Sequence, residues 1–251
     1  MKRILDVDLD FFVWNVVSDR VRTDPRPSAE EHPPWTIDEA IQFLTQCCKL
    51  DKPLPGGAVE HHDDVFPLWR QAIETGALTT PFHITHVDGH ADMSMGLGYE
   101  YIITELLHQP VTKRSSPPLG TDTLNEGNYL AFAIANRWVN DVDYVYTPNG
   151  GGDINVYFKE NWTNKFPNDV VRLTALTQTQ FESLKASSWH PDFKVPYGDE
   201  PRVPFRSQRW KDFKAAAGYD FLYLAKSPAF APAELDPSTT RFGRASFKSG
   251  R

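Results

Sequence analysis

The stretch FHITHVDGHAD, residues 82–92, joins an apolar run to three side chains of the kind that bind metals. Phe82 to Val87 has the composition of a buried β-strand. Asp88, His90 and Asp92 follow at every second position, so a loop at the end of this strand could turn all three toward one point. Open α/β sheets bind ligands beyond the carboxyl ends of their strands. The stretch therefore predicts an α/β sheet with a binding site at the end of this strand.

Outside this stretch, short strands alternate with helices. The patterns predict strands at residues 3–12, 58–60, 144–146, 170–173 and 219–225, and helices at residues 37–49, 65–75, 128–138 and 178–185. Thr36 and Glu39 form a capping-box pattern before the first helix, and Gly76 is placed to cap the second. This alternation predicts a three-layer α/β/α architecture with a mostly parallel sheet. The Pro-rich segments at residues 105–124 and 188–209 are expected to be surface loops.

The length and charge of the chain limit its class. The sequence contains no internal repeat and no linker, so one domain over residues 1–251 is expected, with a basic tail containing Pro and Ser from about residue 232. The net charge of −7 offers no basic footprint for nucleic acid. No run of roughly 18 apolar residues exists, and Asp6, Asp8 and Asp10 lie where a secretory signal would need its apolar segment. A cytoplasmic protein with no membrane partner is therefore expected.

The cysteine content restricts the kind of metal site that the chain could form. The only cysteines, Cys47 and Cys48, are adjacent, which leaves no thiol pair for a disulfide framework or for a thiolate metal site. Both fall on the apolar face of the first predicted helix. Any bound metal would therefore be held by oxygen and nitrogen atoms.

Two further segments carry carboxylates and imidazoles. In LDVDLDFF, residues 5–12, three aspartates alternate with apolar residues and would share one face of a strand. Either these acids emerge at the solvent edge of the sheet or they coordinate cations there. The segment EHHDD, residues 60–64, lies between a predicted strand and a predicted helix. Asp63 or Asp64 could equally be the N-cap of that helix.

Together, the three segments supply at least two imidazoles and four carboxylates. Divalent cations would remove the repulsion among so many acids. Oxygen and nitrogen ligands suit two hard or borderline ions, of which Mn²⁺ fits best, rather than one structural zinc. Two neighbouring ions can share a water molecule and lower its pKa toward neutrality, so the predicted chemistry is hydrolysis.

These three segments together resemble the arginase and ureohydrolase superfamily. They look most like a branch of that fold that includes peptide arginases, which convert arginine side chains in ribosomally made precursor peptides to ornithine. The resemblance covers residues 1 to about 130 well and residues 219–228 weakly. It implies a dinuclear manganese hydrolase that cleaves the guanidinium group of an arginine-containing precursor peptide and releases urea.

Carried over residue by residue, the resemblance also implies two sets of metal ligands. One Mn²⁺ would be held by His62, Asp88, Asp92 and Asp8. The other would be held by His90, Asp88, Asp8 and Asp10. Asp88 and Asp8 would therefore bridge the ions. The catalytic candidates are Asp10, Asp92 and His90, and a carboxylate such as Asp10 or Asp92 would pass a proton to the departing amine.

Two residues near these ligands receive supporting assignments. Asp6, the first acid of the alternating strand, is expected to lie behind the ligands without binding metal. His86 shares the strand face of Asp88, so it could orient a ligand or be an ordinary core histidine.

The chain departs from arginases in two respects. In arginases the strand that carries the aspartate pair comes late in the chain, whereas here it comes first, so the fold would have to be a permuted version. Arginases also place a glutamate just after the final strand to grip the guanidinium, and residues 219–228 contain none. Asp64 and Glu126 are the candidates for that role. Asn125 and Asn128 could hydrogen-bond the substrate or cap the helix that begins near residue 128.

Two other functions remain open from the sequence. One is a zinc-dependent, deacetylase-like amidohydrolase on the same scaffold, which would use a single ion. The other is a non-catalytic protein whose acidic pocket binds a cationic ligand. The sequence leaves the oligomeric state open.

Overall fold

The computed structural model describes residues 1–119, 123–147, 149–186 and 196–237. In chain order, its strands are β1 (Arg3–Asp8), β2 (Gly56–Val59), β3 (Phe82–Val87), β4 (Val139–Tyr146), β5 (Asn168–Val171), β6 (Val203–Arg209) and β7 (Phe221–Ala225). Its α-helices are α1 (Ile37–Gln42), α2 (Val65–Glu74), α3 (Gly98–Thr104), α4 (Tyr129–Ala135) and α5 (Gln178–Ala186).

The seven strands form one sheet in the order β2-β7-β1-β3-β4-β6-β5. Every neighbouring pair is parallel except β5 with β6 at one edge. The strand β1 lies between β7 and β3, and Leu5 is in register with Leu222 on one side and with Thr85 on the other. The predicted α/β class with a mostly parallel sheet is confirmed.

Helices cover both faces of the sheet. On one face, side chains from α2 to α5, including Trp69 and Tyr129, pack with Ile4 into one core. On the other face, α1 and the turn after it pack with Leu5 and Val7 into a second core. Because β1 is buried on both faces, its apolar residues contribute to both cores, as is typical of a central parallel strand.

The first predicted helix is confirmed with changed bounds. The capping box before α1 is present, because the Glu39 amide donates to Thr36 Oγ1 over 3.2 Å and the Thr36 amide donates to Glu39 Oε2 over 2.8 Å. The first helix, however, becomes a π-helical turn over Phe43–Cys47. This wider turn shifts the helical phase, so that Phe43 and Leu44 are both buried.

Two sequence predictions of secondary structure are wrong in part, and one helix was missed. Residues 203–209, expected to belong to a loop, form β6, whose residues Val203, Phe205 and Ser207 are buried in alternation. Pro204 obscured that strand pattern. The first predicted strand ends at Asp8 and continues as a 3₁₀ turn over Leu9–Phe12. The helix α3 was not predicted.

Two other expectations concern the tail and membrane insertion. Of the tail expected from about residue 232, residues 238–251 lie outside the described residues. Within the part of the chain that the structure describes, no helix is both long enough and apolar enough to cross a membrane.

Candidate metal centre

The predicted ligands meet at the carboxyl ends of β1 and β3. Asp8 is the last residue of β1, and Asp88 directly follows β3. His62 comes from the short turn between β2 and α2. These three side chains are almost completely buried. The site therefore lies where neighbouring parallel strands end, as the sequence predicts for residues 88–92.

His62 faces three carboxylates at once. Its Nδ1 atom lies 2.9 Å from Asp88 Oδ2, 3.1 Å from Asp92 Oδ2 and 3.1 Å from Asp8 Oδ2. His62 Nδ1, Asp88 Oδ2 and Asp92 Oδ2 are buried and have no hydrogen-bond partner. Leaving such atoms unpaired is costly. One nitrogen and three carboxylate oxygens that converge in this way fit a divalent cation.

A hydrogen-bond chain orients His62 toward those carboxylates. The Tyr129 hydroxyl donates to Asp6 Oδ2 over 2.6 Å, and the Tyr129 oxygen lies 2.9 Å from His62 Nε2. This oxygen can accept the proton of Nε2, which leaves a lone pair on Nδ1. Asp6 thus lies behind His62, on the side opposite the three carboxylates. A second residue that fixes the tautomer in this way is typical of histidines that bind metals.

A second group of ligand atoms forms around His90. Its Nδ1 atom lies 2.8 Å from Asp10 Oδ2 and 3.8 Å from Asp88 Oδ1. The Gly89 amide donates to Asp10 Oδ1 over 3.0 Å, which holds Asp10 in place. Asp88 belongs to both groups, whereas Asp8 groups with His62 and Asp88. The bridging role expected for Asp8 remains a prediction.

The backbone of this region is also constrained. Asp92 has a φ of 51°, in the left-handed region that residues other than glycine seldom adopt. His86 contacts the same loop, since its Nε2 lies 3.1 Å from the carbonyl oxygen of His90. The other ring nitrogen of His86, Nδ1, lies 3.3 Å from Asp6 Oδ2, so His86 links the loop that carries the ligands to Asp6.

Burial and repulsion shift the pKa values of the cluster. Burial raises the pKa of Asp88 well above its ordinary value, and the carboxylates of Asp10, Asp92 and Asp8 raise it further. Burial alone would lower the pKa of His90, but the Asp10 carboxylate raises it to about 10. Among the described residues, no Lys or Arg forms an ion pair with these carboxylates. Bound protons are therefore the alternative to bound cations here.

A cavity of about 340 Å³, here called the central cavity, opens above the cluster. The His90 side chain is 23% exposed, while the side chains of the other ligand candidates are nearly buried. Asp19, Glu126 and Asp153 also line the cavity. The cavity thus carries three acids beyond those of the two ligand groups and one basic residue, Arg20, so its lining is acidic on balance, which favours a cationic ligand.

Of the four predicted substrate-binding residues, only Glu126 lines the central cavity in the described structure. Asp64 instead accepts a hydrogen bond from the His61 amide and pairs with the Arg22 guanidinium. Asn125 lines a neighbouring cavity. The side chain of Asn128 does not cap the helix. Its Nδ2 donates to the backbone carbonyls of Met95 and Thr123, and its Oδ1 accepts from the backbone amide of Asn125. Asn128 therefore holds its loop together.

Asp153 was missed by the sequence analysis, although a signal was present. It follows three glycines at residues 150–152, beyond the end of β4 at the same edge of the sheet. A Cβ atom on Gly150 would lie 2.4 Å from the carbonyl oxygen of Gly89, so only glycine allows this close approach. Asp153 Oδ1 accepts from the Ala91 amide over 2.7 Å.

Tyr129 and Ser227 were also missed as contributors to the site. The Ser227 hydroxyl donates to Asp8 Oδ2. Tyr129 lies on the fully buried helix α4, where an aromatic residue predicts only packing. Because neither residue belongs to a motif, their contacts depend on tertiary structure alone.

Comparison of the chain with protein-family models, curated proteins and solved structures finds no match. The resemblance in the sequence segments and the geometry of the cluster are therefore the grounds for the functional proposal.

Proposed function

We propose that this protein is a hydrolase with two bound divalent metal ions, most suitably Mn²⁺, that converts arginine side chains of a peptide to ornithine and urea. The single observation that carries the proposal is the convergence of His62 Nδ1 with three carboxylate oxygens, at distances of 2.9 to 3.1 Å and without a basic residue among them. The adjoining group around His90 supplies the atoms for a second ion.

Each ion would have its own ligands. We assign the first ion to His62, Asp8, Asp88 and Asp92. We assign the second ion to His90, Asp10, Asp88 and Asp8. When bound, such ions act as Lewis acids and lower the pKa of a water molecule toward neutrality, which supplies a nucleophile for hydrolysis.

The residues of the chain would bind the substrate and move protons. A guanidinium group entering the central cavity would meet Asp153, whose carboxylate is held in place by the Ala91 amide, and Glu126 at the cavity wall. Asp10 or Asp92 would accept a proton and pass it to the departing amine. His90 is the most exposed of the ligand candidates, so it would be the one nearest to a substrate in the central cavity.

Two of the proposed metal ligands, Asp8 and Asp88, come from the ends of β1 and β3, which bears on the relation of this sheet to the arginase fold. We propose that the sheet is a permuted version of the arginase fold, with the aspartate-bearing strand moved to the start of the chain. Support comes from the central position of β1, between β7 and β3, which brings Asp8 beside Asp88.

The test uses the full chain loaded with Mn²⁺ and peptides that contain one arginine. We expect urea to be released and the peptide to lose about 42 Da, the mass of CN₂H₂, for each arginine converted. His62→Ala and Asp8→Ala should abolish both signals. His83→Ala is the matched control, because His83 is a buried histidine outside this cluster, and it should retain activity.

Other outcomes would identify the other two functions. One zinc ion per chain with release of acetate from an acylated lysine peptide would identify a deacetylase. Tight binding of the peptide without any product would identify a non-catalytic binding protein. Either result would overturn the proposal.

A further inference from the structure

A second cavity, of about 380 Å³, lies beside the central cavity. We call it the side cavity. Its apolar walls come from Val21, Met95, Leu119 and Leu124. Apolar surface makes up a larger share of its lining than of the lining of the central cavity, which carries the acids around the metal ligands.

The two cavities adjoin each other. Met95 and Glu126 line both of them. Four segments of the chain also pass from one lining to the other, at residues 18–23, 62–63, 94–96 and 125–127. A ligand that spans both cavities would therefore pass Met95 and Glu126.

The side cavity also exposes apolar side chains to solvent. Leu119 is 75% exposed and Val21 is 39% exposed, and they are two of the few large apolar residues that the described structure leaves open. Exposed apolar surface that adjoins a polar site is typical of ligand-binding grooves. Free arginine in the central cavity would leave this surface uncovered.

We propose that the side cavity binds an apolar side chain of the substrate peptide, from a residue within two positions of the processed arginine. The inference rests on the proposed function. An extended peptide advances about 3.3 Å per residue, so adjoining cavities are filled by residues close in sequence. We infer a peptide because a single molecule must present a cationic group to the acidic central cavity and an apolar group to the side cavity. Peptides with such a residue are therefore preferred over free arginine.

The experiment compares two probes, acetyl-Gly-Gly-Arg-Gly-Gly-amide and acetyl-Leu-Leu-Arg-Leu-Leu-amide. With the Mn²⁺-loaded full chain, we expect kcat/KM for urea release to be about tenfold higher or more for the leucine probe. Leu119→Ser and Val21→Ser should remove most of this preference while leaving kcat/KM for the glycine probe and the metal content unchanged. Leu97→Ser is the matched control, because Leu97 is 51% exposed but does not line the side cavity.

Calorimetric binding of the two probes with ornithine in place of arginine gives a second readout. The leucine peptide should bind more tightly to the wild type and to Leu97→Ser, and this advantage should shrink in Leu119→Ser. Equal kcat/KM values for both probes, or a preference that survives both substitutions, would overturn the inference while leaving the proposed function intact. If neither probe releases urea, the proposed function fails, and the binding comparison still decides whether the side cavity recognises apolar residues.

Discussion

The sheet carries two clusters of histidine and aspartate, and they differ in how their charge is neutralised. In the candidate metal centre, several carboxylates surround His62 and His90 with no basic side chain paired to them among the described residues. In the second cluster, here called the His83 cluster, His83 lies 2.9 Å from Asp143. There the Arg206 guanidinium pairs with both Asp143 and Asp141.

The comparison shows that proximity of ligand-type residues does not by itself indicate a metal site. Both clusters bring potential ligand atoms close together. The His83 cluster already contains the Arg206 cation, whereas the candidate metal centre has buried Asp88 and Asp92 oxygens without a hydrogen-bond partner. An external cation is therefore expected in the candidate metal centre alone.

The largest effect is expected from Asp88→Asn, because Asp88 belongs to both ligand groups. We expect Mn²⁺ binding and urea release to fall more than about a hundredfold, beyond the loss typical of residues that only support a ligand. The metal-free variant should be at least as stable as the metal-free wild type. In the wild type, burial and neighbouring carboxylates raise the pKa of Asp88, so its charged form destabilises the fold. Metal analysis, urea assay and urea denaturation measure these effects.

Asp143→Asn in the His83 cluster is the control for this substitution. It should bind Mn²⁺ as the wild type does. Full metal binding by Asp88→Asn, or an equal loss in Asp143→Asn, would erase the distinction between the two clusters.

A smaller effect is expected when metal is removed from the wild type. A ligand at about 1,000 times its Kd stabilises the folded state by about 4 kcal/mol, so chelation should lower Tm by about 8 to 16 °C. Asp88→Asn should show almost no change with chelator. A wild-type Tm that is insensitive to both Mn²⁺ and chelator would contradict the account.

Tyr129→Phe tests the chain that orients His62. Removing the hydroxyl should weaken Mn²⁺ binding by about 10- to 100-fold, because His62 Nε2 loses the Tyr129 oxygen at 2.9 Å and keeps only the more distant Asp6 Oδ2 at 3.3 Å. Tyr219→Phe is the matched control, since the Tyr219 hydroxyl donates to Thr85, outside the candidate metal centre. Metal titration should separate the variants; equal affinities would show that Tyr129 has no role in orienting the ligand.

The smallest effect is expected from Arg206→Met in the His83 cluster. The Arg206 side chain is 34% exposed, so its loss should cost only about 1 kcal/mol of unfolding free energy. Burial alone would raise the pKa of Asp143, but hydrogen bonds from His83 and Arg206 lower it below its ordinary 3.8. That pairing stabilises the fold above pH 3.8 and is lost as pH falls through the lower folded-state pKa.

Acid unfolding measures this effect. In Arg206→Met, the pKa of Asp143 should be lowered less than in the wild type. The variant should therefore lose less stability than the wild type when the pH falls below about 4. An unchanged pH dependence would show that Arg206 does not neutralise the His83 cluster.

Much of the candidate site could be predicted from the sequence because its residues follow strands directly. Asp8 ends β1 and Asp88 follows β3, and the carboxyl ends of neighbouring parallel strands meet at one edge of a sheet. The apolar runs likewise predicted β3 with its correct bounds. In these places local pattern and tertiary position agree.

The rest depends on contacts that local pattern does not encode. Tyr129 reaches His62 across 67 residues of sequence, and only packing of α4 on the sheet brings them together. The side chain of Asn128 was expected to face substrate or to cap a helix, but it hydrogen-bonds to its own loop and to the Met95 carbonyl. The strand β6 was missed because it contains Pro204 and because its third buried position is the polar Ser207, so only Val203 and Phe205 mark the apolar alternation.

The central claim is that a pair of divalent cations neutralises the carboxylates around His62 and His90. Crystals of the Mn²⁺-loaded protein, measured at the manganese absorption edge, test it most directly. We predict two anomalous peaks, one in contact with His62 Nδ1 and the other in contact with His90, with Asp88 touching both. A crystal grown with saturating Mn²⁺ that shows no anomalous peak at this cluster, or that shows the peak at His83 instead, would contradict the account.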